Sequence, residues 1–471
     1  MASNYEKLGV EGEKQEELLP PLSPISQCLN SSTIPLTILA VFEFEVPVQE
    51  SHCLEFLEYH FVPCTPRFSS VIDTDSKGVE RWRKIEQVIY QDHLIVPTFP
   101  EELSATEYDE LCKQYMSKIG TEKFLGTRPL WELHLIKYPT LSGASTMVLK
   151  LSHAIGDGYS YISVLFSAFH RADNPSVPLT FPPLSFGSKG GKPKLWSLVS
   201  KLKETLFDVY WSYKMLMFED PRSAVRSGTR QLGSKPFNIA SITIPLEQVK
   251  EVKSKVGGTV NDVVTGLISY VIHLYMVRMG KVSSDGDMTL LVMVNMRALK
   301  GYKSIEDMMK ASSWGNYSRF LHIPIPRNGR GGEEADPIEF VLKSKEIMEK
   351  KKRSLVIYLI DPLLNTIRTI KGQKGLAGFI RSNFYNSSAM ITSLIGPKEK
   401  LAMVNQPIGS FYFLVTRVPQ SLTFTVATTM GDLKLVVTME KGFIDSEVFT
   451  SCMNEAFKNI YKAACGKNME K

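Results

Sequence analysis

Apolar positions along this chain switch repeatedly between a period of two and a period near three and a half. Leu36 to Phe44 is a run of aliphatic, β-branched and aromatic residues, the content of a strand. From Glu50 to Phe61 the apolar residues fall at 53, 54, 56, 57 and 61, which is helical spacing. Short strands are predicted at Phe68 to Ile72, Glu80 to Ile85 and Trp131 to Ile136, with a helix from Ser104 to Ile119. Further on, strands are predicted at Ile239 to Ile244, Leu290 to Val294 and Ser318 to Ile325. Val263 to Val277 is apolar all round and predicts a core helix. Thr423 to Thr428 and Lys434 to Thr438 form a hairpin that turns near Met430-Gly431-Asp432, and Asp445 caps a last helix to Ala464. Strands alternating with long helices argue for an α/β sandwich.

Four segments follow. Residues 1–22 are rich in Glu and Lys, cannot bury enough apolar surface to offset ordering, and read as a disordered lead, with order beginning near Leu36. Residues 23–174 form a first half. Residues 175–235 form a crossover opened by Pro175, Pro178, Pro182 and Pro183 and then Gly187, Gly190 and Gly191, and residues 236–471 form a second half. Within the crossover, Lys194 to Phe218 carries Trp196, Val199, Leu202, Leu206, Val209, Tyr210, Tyr213 and Met217 every three or four residues. Charges interrupt it too often for a transmembrane span. Two readings stand: a helix docked on its own protein by that stripe, or one lying on a membrane surface with the stripe inserted.

With 471 residues, 43% of them hydrophobic, the chain exceeds what one core usually supports. The net charge of +6 is too mild to indicate nucleic acid, and is compatible with an anionic ligand or an acidic membrane face. The six cysteines, at 28, 53, 64, 112, 452 and 465, include no Cys-x-x-Cys, and no hydrophobic leader opens the chain, so reduced thiols facing the cytosol are expected. Three glycosylation sequons carry no meaning in that setting. The eight histidines have no ligand spacing, and no metal is expected. Lys350-Lys351-Lys352-Arg353 reads as a solvated helix end.

Candidate chemistry concentrates in Leu149 to Tyr159. Met147, Leu149 and Leu151 alternate with Val148, Lys150 and Ser152, which makes a strand with His153 on the face of the first set. Gly156-Asp157-Gly158 is turn chemistry, and Tyr161, Val164, Leu165, Ala168 and Phe169 predict a helix packing back. A neutral imidazole there can take a proton from a hydroxyl near pH 7. The plainer reading has His153 bonding backbone and Asp157 capping the helix. Ser152 is a poor nucleophile for His153 to activate, because consecutive strand residues point to opposite faces and no Gly-x-Ser-x-Gly elbow is present. Thr259-Val260-Asn261-Asp262 fits a capping box. Asp262 is then structural, and Asn261 either joins the helix start or faces a cleft as a hydrogen-bond donor to an oxyanion.

Ser152 to Gly158 resembles the His-His-x-x-x-Asp-Gly motif of the wax ester synthase/diacylglycerol acyltransferases and, more widely, the His-x-x-x-Asp-Gly signature of coenzyme A-dependent acyltransferases. Pro66-Arg67-Phe68, Arg128-Pro129-Leu130-Trp131-Glu132 and Thr259-Val260-Asn261-Asp262-Val263-Val264 look like other motifs of that family. Asn295-Met296-Arg297, Trp314-Gly315-Asn316 and Ile395-Gly396-Pro397 look like elements of its plant branch. The chain departs from the pattern at Ser152, where the family has its first histidine, and at Ser393, where an asparagine is usual.

The resemblance implies a two-lobed sandwich of mixed sheets, with chloramphenicol-acetyltransferase-like halves facing a central channel. It implies acyl-CoA as donor, a long-chain alcohol or diacylglycerol as acceptor, His153 as proton acceptor and no bound cofactor. Asp157 would be architectural and paired with an arginine, Arg297 being one conceivable partner, and Gly158 would allow a sharp turn. Asn261 is the side-chain candidate for the oxyanion. The lipid substrates imply the cytosolic face of the endoplasmic reticulum membrane, or the plasma membrane. Two rivals are an acyltransferase acting on soluble alcohols or amines, disfavoured by the absence of Asp-Phe-Gly-Trp-Gly, and a weakly active lipid-binding regulator.

Overall fold

The computed structural model describes residues 18–31, 34–76, 79–180, 195–229, 235–280, 287–297, 314–326 and 335–466. Most of the expected lead, and the loop Gly329 to Gly332, lie outside them. Order begins well before Leu36, because Leu18–Pro21 is a strand and Pro24–Asn30 a helix. Ser23 starts that helix by accepting from Ser26 N at 3.1 Å, with proline at the first turn, the residue types that open helices.

Three sheets are present among the described residues. A seven-stranded sheet runs in the order Leu94–Ile95, Trp131–Ile136, Ser145–Ser152, Thr37–Phe44, Gln406–Thr416, Leu401–Met403, His170–Arg171. A six-stranded sheet runs Ser318–Pro324, Thr289–Asn295, Ala389–Ile395, Leu422–Thr429, Asp432–Glu440, Phe237–Pro245. The small third sheet joins Leu18–Pro21 to Glu80–Lys84 and Ser70–Thr74. Phe68 and Ser69, expected at the start of that last strand, instead belong to the 3-10 turn Pro66–Ser69, as a proline at its first position favours.

Every residue of Ser145–Ser152 is buried, so both faces of this strand are covered. Met147, Leu149 and Leu151 join the large core beside helix Gly158–Ala168, while Val148 joins a smaller one under helix Ala105–Thr121. The six-stranded sheet builds its own core with helices Val260–Arg278, Pro337–Arg353 and Ser446–Cys465. Val260–Arg278 is long and apolar enough to cross a membrane, but 78% of its apolar window is buried in protein, as expected of a core helix.

Two expectations change. The 30-residue helix Val356–Tyr385, kinked at Gly372 (φ 65°, ψ −172°), has no counterpart in the hydropathy pattern, because Pro362 and three glycines interrupt it. Helix Leu195–Met217 is present, but it does not dock by its apolar stripe. Leu202, Leu206, Tyr210 and Tyr213 are exposed, while Thr205, Asp208, Trp211 and Met215 on the opposite side are buried.

Candidate active site

Where Ser145–Ser152 ends, His153 N donates to Leu36 O at 3.0 Å and the chain turns into helix Gly158–Ala168. Ser152 is spent on the turn. Its Oγ accepts from Ala154 N at 3.3 Å and its carbonyl accepts from the Tyr161 hydroxyl at 2.8 Å.

His153 is 3% exposed, and its Nδ1 lies 2.9 Å from Asn316 Oδ1. The asparagine's orientation is fixed by its other end, where Nδ2 donates to His153 O at 2.8 Å and to Ser26 Oγ at 2.9 Å. Flipping the amide would set oxygen against the His153 carbonyl oxygen, so the hydrogen-bond network decides the assignment. Oδ1 therefore faces the ring and accepts, and Nδ1 carries the proton. Nε2 is left with its lone pair and no hydrogen bond to a described residue. Burial lowers the imidazole pKa from its usual value, opposed by the Asp157 charge, a backbone hydrogen bond and Asn316, so the ring is neutral at pH 7.

Asp157 combines both roles considered for it. Its carboxylate accepts from Ser160 N at 3.1 Å, which caps the helix, and from Arg297 Nη1 at 2.8 and 2.7 Å and Tyr317 N at 2.7 Å. Asp157 and Arg297 are both buried. Arg297 Nη2 donates to Ser160 Oγ and Gly315 O, each at 3.0 Å, and the guanidinium lies over the Tyr317 ring. Removing one partner of such a pair costs about 3–5 kcal/mol.

The short motifs converge on the same turn. Arg67 Nη1 and Trp314 Nε1 both donate to Ile155 O, at 2.6 and 2.9 Å. Phe68 stacks on Phe61 and meets Trp314 edge-on, and Trp131 Nε1 donates to Phe68 O at 2.8 Å. Likeness of sequence marked these residues, but their common target was invisible without the fold. Asn316 was missed as a functional residue for the same reason.

His153 lines a narrow, mainly apolar cavity between the two larger sheets. Its apolar wall comes from the seven-stranded sheet, through Ile38, Phe42, Leu149, Leu151, Phe411 and Phe413. Asn295, Ser318, Thr392 and Ser393 contribute polar groups from the six-stranded sheet. Gly158 also lines it, where the backbone passes close to Leu394 without a left-handed turn. A Cβ there would stand 2.7 Å from Leu394 Cδ2. Asn261 is not in the cavity. It is exposed at the start of Val260–Arg278, whose cap is Thr259 and Asp262, with Thr259 N donating to Asp262 Oδ2 at 2.7 Å. The oxyanion role expected of Asn261 is therefore withdrawn. Among the described residues no cluster of three or more His, Cys, Asp or Glu side chains could hold a metal ion.

Comparison with known proteins gives the family. The wax ester synthase/diacylglycerol acyltransferase catalytic domain matches residues 106–264, and the WS/DGAT C-terminal domain matches residues 314–461; together they cover well over half of the chain. The chain belongs to the wax ester synthase/diacylglycerol acyltransferase family. Wax ester synthase/diacylglycerol acyltransferase 9 of Arabidopsis thaliana is 24% identical, with 98% of this chain and 99% of the relative aligned. Its paralogue numbered 11 is 25% identical, over 95% and 96%. In fold, the chain is similar to the wax ester synthase/diacylglycerol acyltransferase of Marinobacter aquaeolei VT8, with a TM-score of 0.60 at 15% identity over 94% of this chain and 100% of that one. It is also similar to the first condensation domain of the CDA synthetase, with a TM-score of 0.55 at 14% identity over 96% and 97%.

Proposed function

We propose that this chain transfers a fatty acyl group from acyl-CoA to the hydroxyl of a long-chain alcohol or a diacylglycerol, with His153 as general base. The observation that carries the mechanism is the bare Nε2 of a neutral, tautomer-fixed imidazole on the wall of an apolar cavity. Nε2 takes the proton as the acceptor oxygen attacks the thioester carbonyl carbon. The tetrahedral intermediate then collapses, the C–S bond breaks, and the proton passes from the imidazolium to the departing thiolate to give free coenzyme A. The ester and coenzyme A account for every atom, and no acyl-enzyme is required. The hydroxyl of Thr392, on the facing wall, is the donor that would stabilise the oxyanion. Asp157 and Arg297 hold the turn and touch no substrate.

The apolar lining supports a lipid acceptor over a soluble one, since each buried methylene contributes about 0.8 kcal/mol. The intact set of His153, Asn316, Asp157 and Arg297 supports an enzyme over a regulator. A lipid acceptor supports a site of action at the cytosolic face of the endoplasmic reticulum membrane, with the plasma membrane as the alternative. Purified protein given labelled palmitoyl-CoA with hexadecanol or with diacylglycerol should yield ester. His153→Ala yielding undiminished ester would remove the base, and no product with any acceptor would favour the regulator.

A further inference from the structure

We infer that helix Leu195–Met217, together with the start of helix Val356–Tyr385, is the surface by which this protein docks on an anionic lipid bilayer. The helix is turned inside out relative to an ordinary surface helix. Its polar and small positions, Thr205 and Asp208, are buried. Asp208 pairs with Lys351, and Thr205 Oγ1 accepts from Leu355 N at 2.9 Å. Met215 Sδ accepts from the Thr289 hydroxyl at 3.4 Å, which ties the far end to the six-stranded sheet.

The apolar stripe faces away from these anchors. Val199, Leu202, Leu206, Tyr210, Tyr213 and Met217 are between 56% and 63% exposed, and at 100° per residue they fall within a sector of about 80°. Leu355 begins the adjoining helix against Thr205, and Leu355, Tyr358 and Leu359 are also exposed, which extends the surface. Monomeric soluble proteins rarely leave so continuous an apolar face uncovered.

The charges around it select the occupant. Lys203 on Leu195–Met217, and Lys352 and Arg353 in the last turn of helix Pro337–Arg353 just before Leu355, are exposed. Of the nearby acids, Asp208 pairs with Lys351 and Asp361 with Arg319, while Glu204 lies beside Lys203 on the same helix and Glu349 is exposed one turn before Arg353. An aliphatic stripe with tyrosines and a cationic border matches the apolar and anionic layers of a lipid surface. Before the kink, Val356–Tyr385 contributes Leu364 to the same core as the cavity wall, with Ile360 and Ile367 packed against it, so this first half of the helix has the bilayer surface on one side and that core on the other. The purpose of docking rests on the lipid-acceptor reading, but its measurement does not.

The test is flotation of the full chain with vesicles of phosphatidylcholine containing phosphatidylserine, against the exposed-site variant Leu206→Glu/Tyr210→Glu. Wild type should bind, more weakly at about 0.5 M salt, and the variant's affinity should fall at least tenfold with its thermal unfolding unchanged. Should that variant unfold, Leu206→Ser/Tyr210→Ser should lose affinity in the same direction. His153→Ala should bind vesicles like wild type, and Leu206→Glu/Tyr210→Glu should turn over a short acyl-CoA and a soluble alcohol normally, so docking and catalysis fail separately. Equal binding by wild type and variant would overturn the proposal. So would a lipid-free dimer of wild type that the glutamates dissolve, with vesicles bound by neither, since a second copy would then occupy this face.

Discussion

The two walls of the cavity are built differently. On the His153 side, the turn to Asp157 is held by a buried ion pair, an asparagine that reads the imidazole tautomer, and two donors on one carbonyl. On the facing side, Thr392 and Ser393 sit on strand Ala389–Ile395, Ser393 is exposed, and neither hydroxyl bonds a described residue. Rigid support belongs where a proton must move between fixed atoms. A wall that meets acceptors of varied shape needs no such support. The difference separates a part of the site set for one chemistry from a part free to change with substrate.

The comparison breaks most directly at the base. His153→Ala should lower kcat by about 10²–10⁴-fold with KM for acyl-CoA little changed, measured as ester formed from labelled donor. Next comes the ion pair. Arg297→Met leaves Asp157 buried without its partner and should destabilise the protein by about 3–5 kcal/mol, read as a shift in denaturant midpoint. An unchanged midpoint would mean the turn does not depend on it.

Asn316 sharpens the contrast with a pH profile. The active ring is neutral, so kcat/KM should fall with falling pH through the His153 pKa, which burial lowers from 6.5. Asn316→Asp would place a carboxylate on Nδ1–H, favour the imidazolium, and move this acid limb upward. Asn316→Leu removes the tautomer bias and should cost about tenfold in kcat, in line with the loss of one hydrogen bond of roughly 1–1.5 kcal/mol. The smallest effect belongs to the loose wall. Ser393→Asn, tried with alcohols of different chain length, should change their ratio of kcat/KM by only a few-fold; a loss as large as that of His153→Ala would erase the distinction between the walls.

Much of this was readable from the chain. The strand into His153, the capping box of Thr259 and Asp262, the core helix and the closing hairpin are local patterns, and each declares itself by spacing. The stripe of Leu195–Met217 was also visible, but its direction was not, because amphipathicity names an apolar side without saying whether protein lies there. The partners of the turn were the hardest to see. Asp157 and Arg297 are 140 residues apart, and His153 and Asn316 are 163 apart, distances over which no periodicity reports contact. Gln406–Thr416 carries an apolar run from Phe411 to Val415, yet nothing local assigns it to the sheet of the other half.

That last strand has a consequence for how the protein is made. Gln406–Thr416 pairs with Thr37–Phe44 along its length, and the Thr416 hydroxyl reaches Thr37 O across 379 residues. During synthesis Thr37–Phe44 must wait beside an empty lane until most of the polypeptide has left the ribosome, an open edge that invites mispairing. Fragments divided at the crossover would each lack what the other carries, so co-expression of the pieces, rather than either alone, is the arrangement that should rebuild the closed sheet.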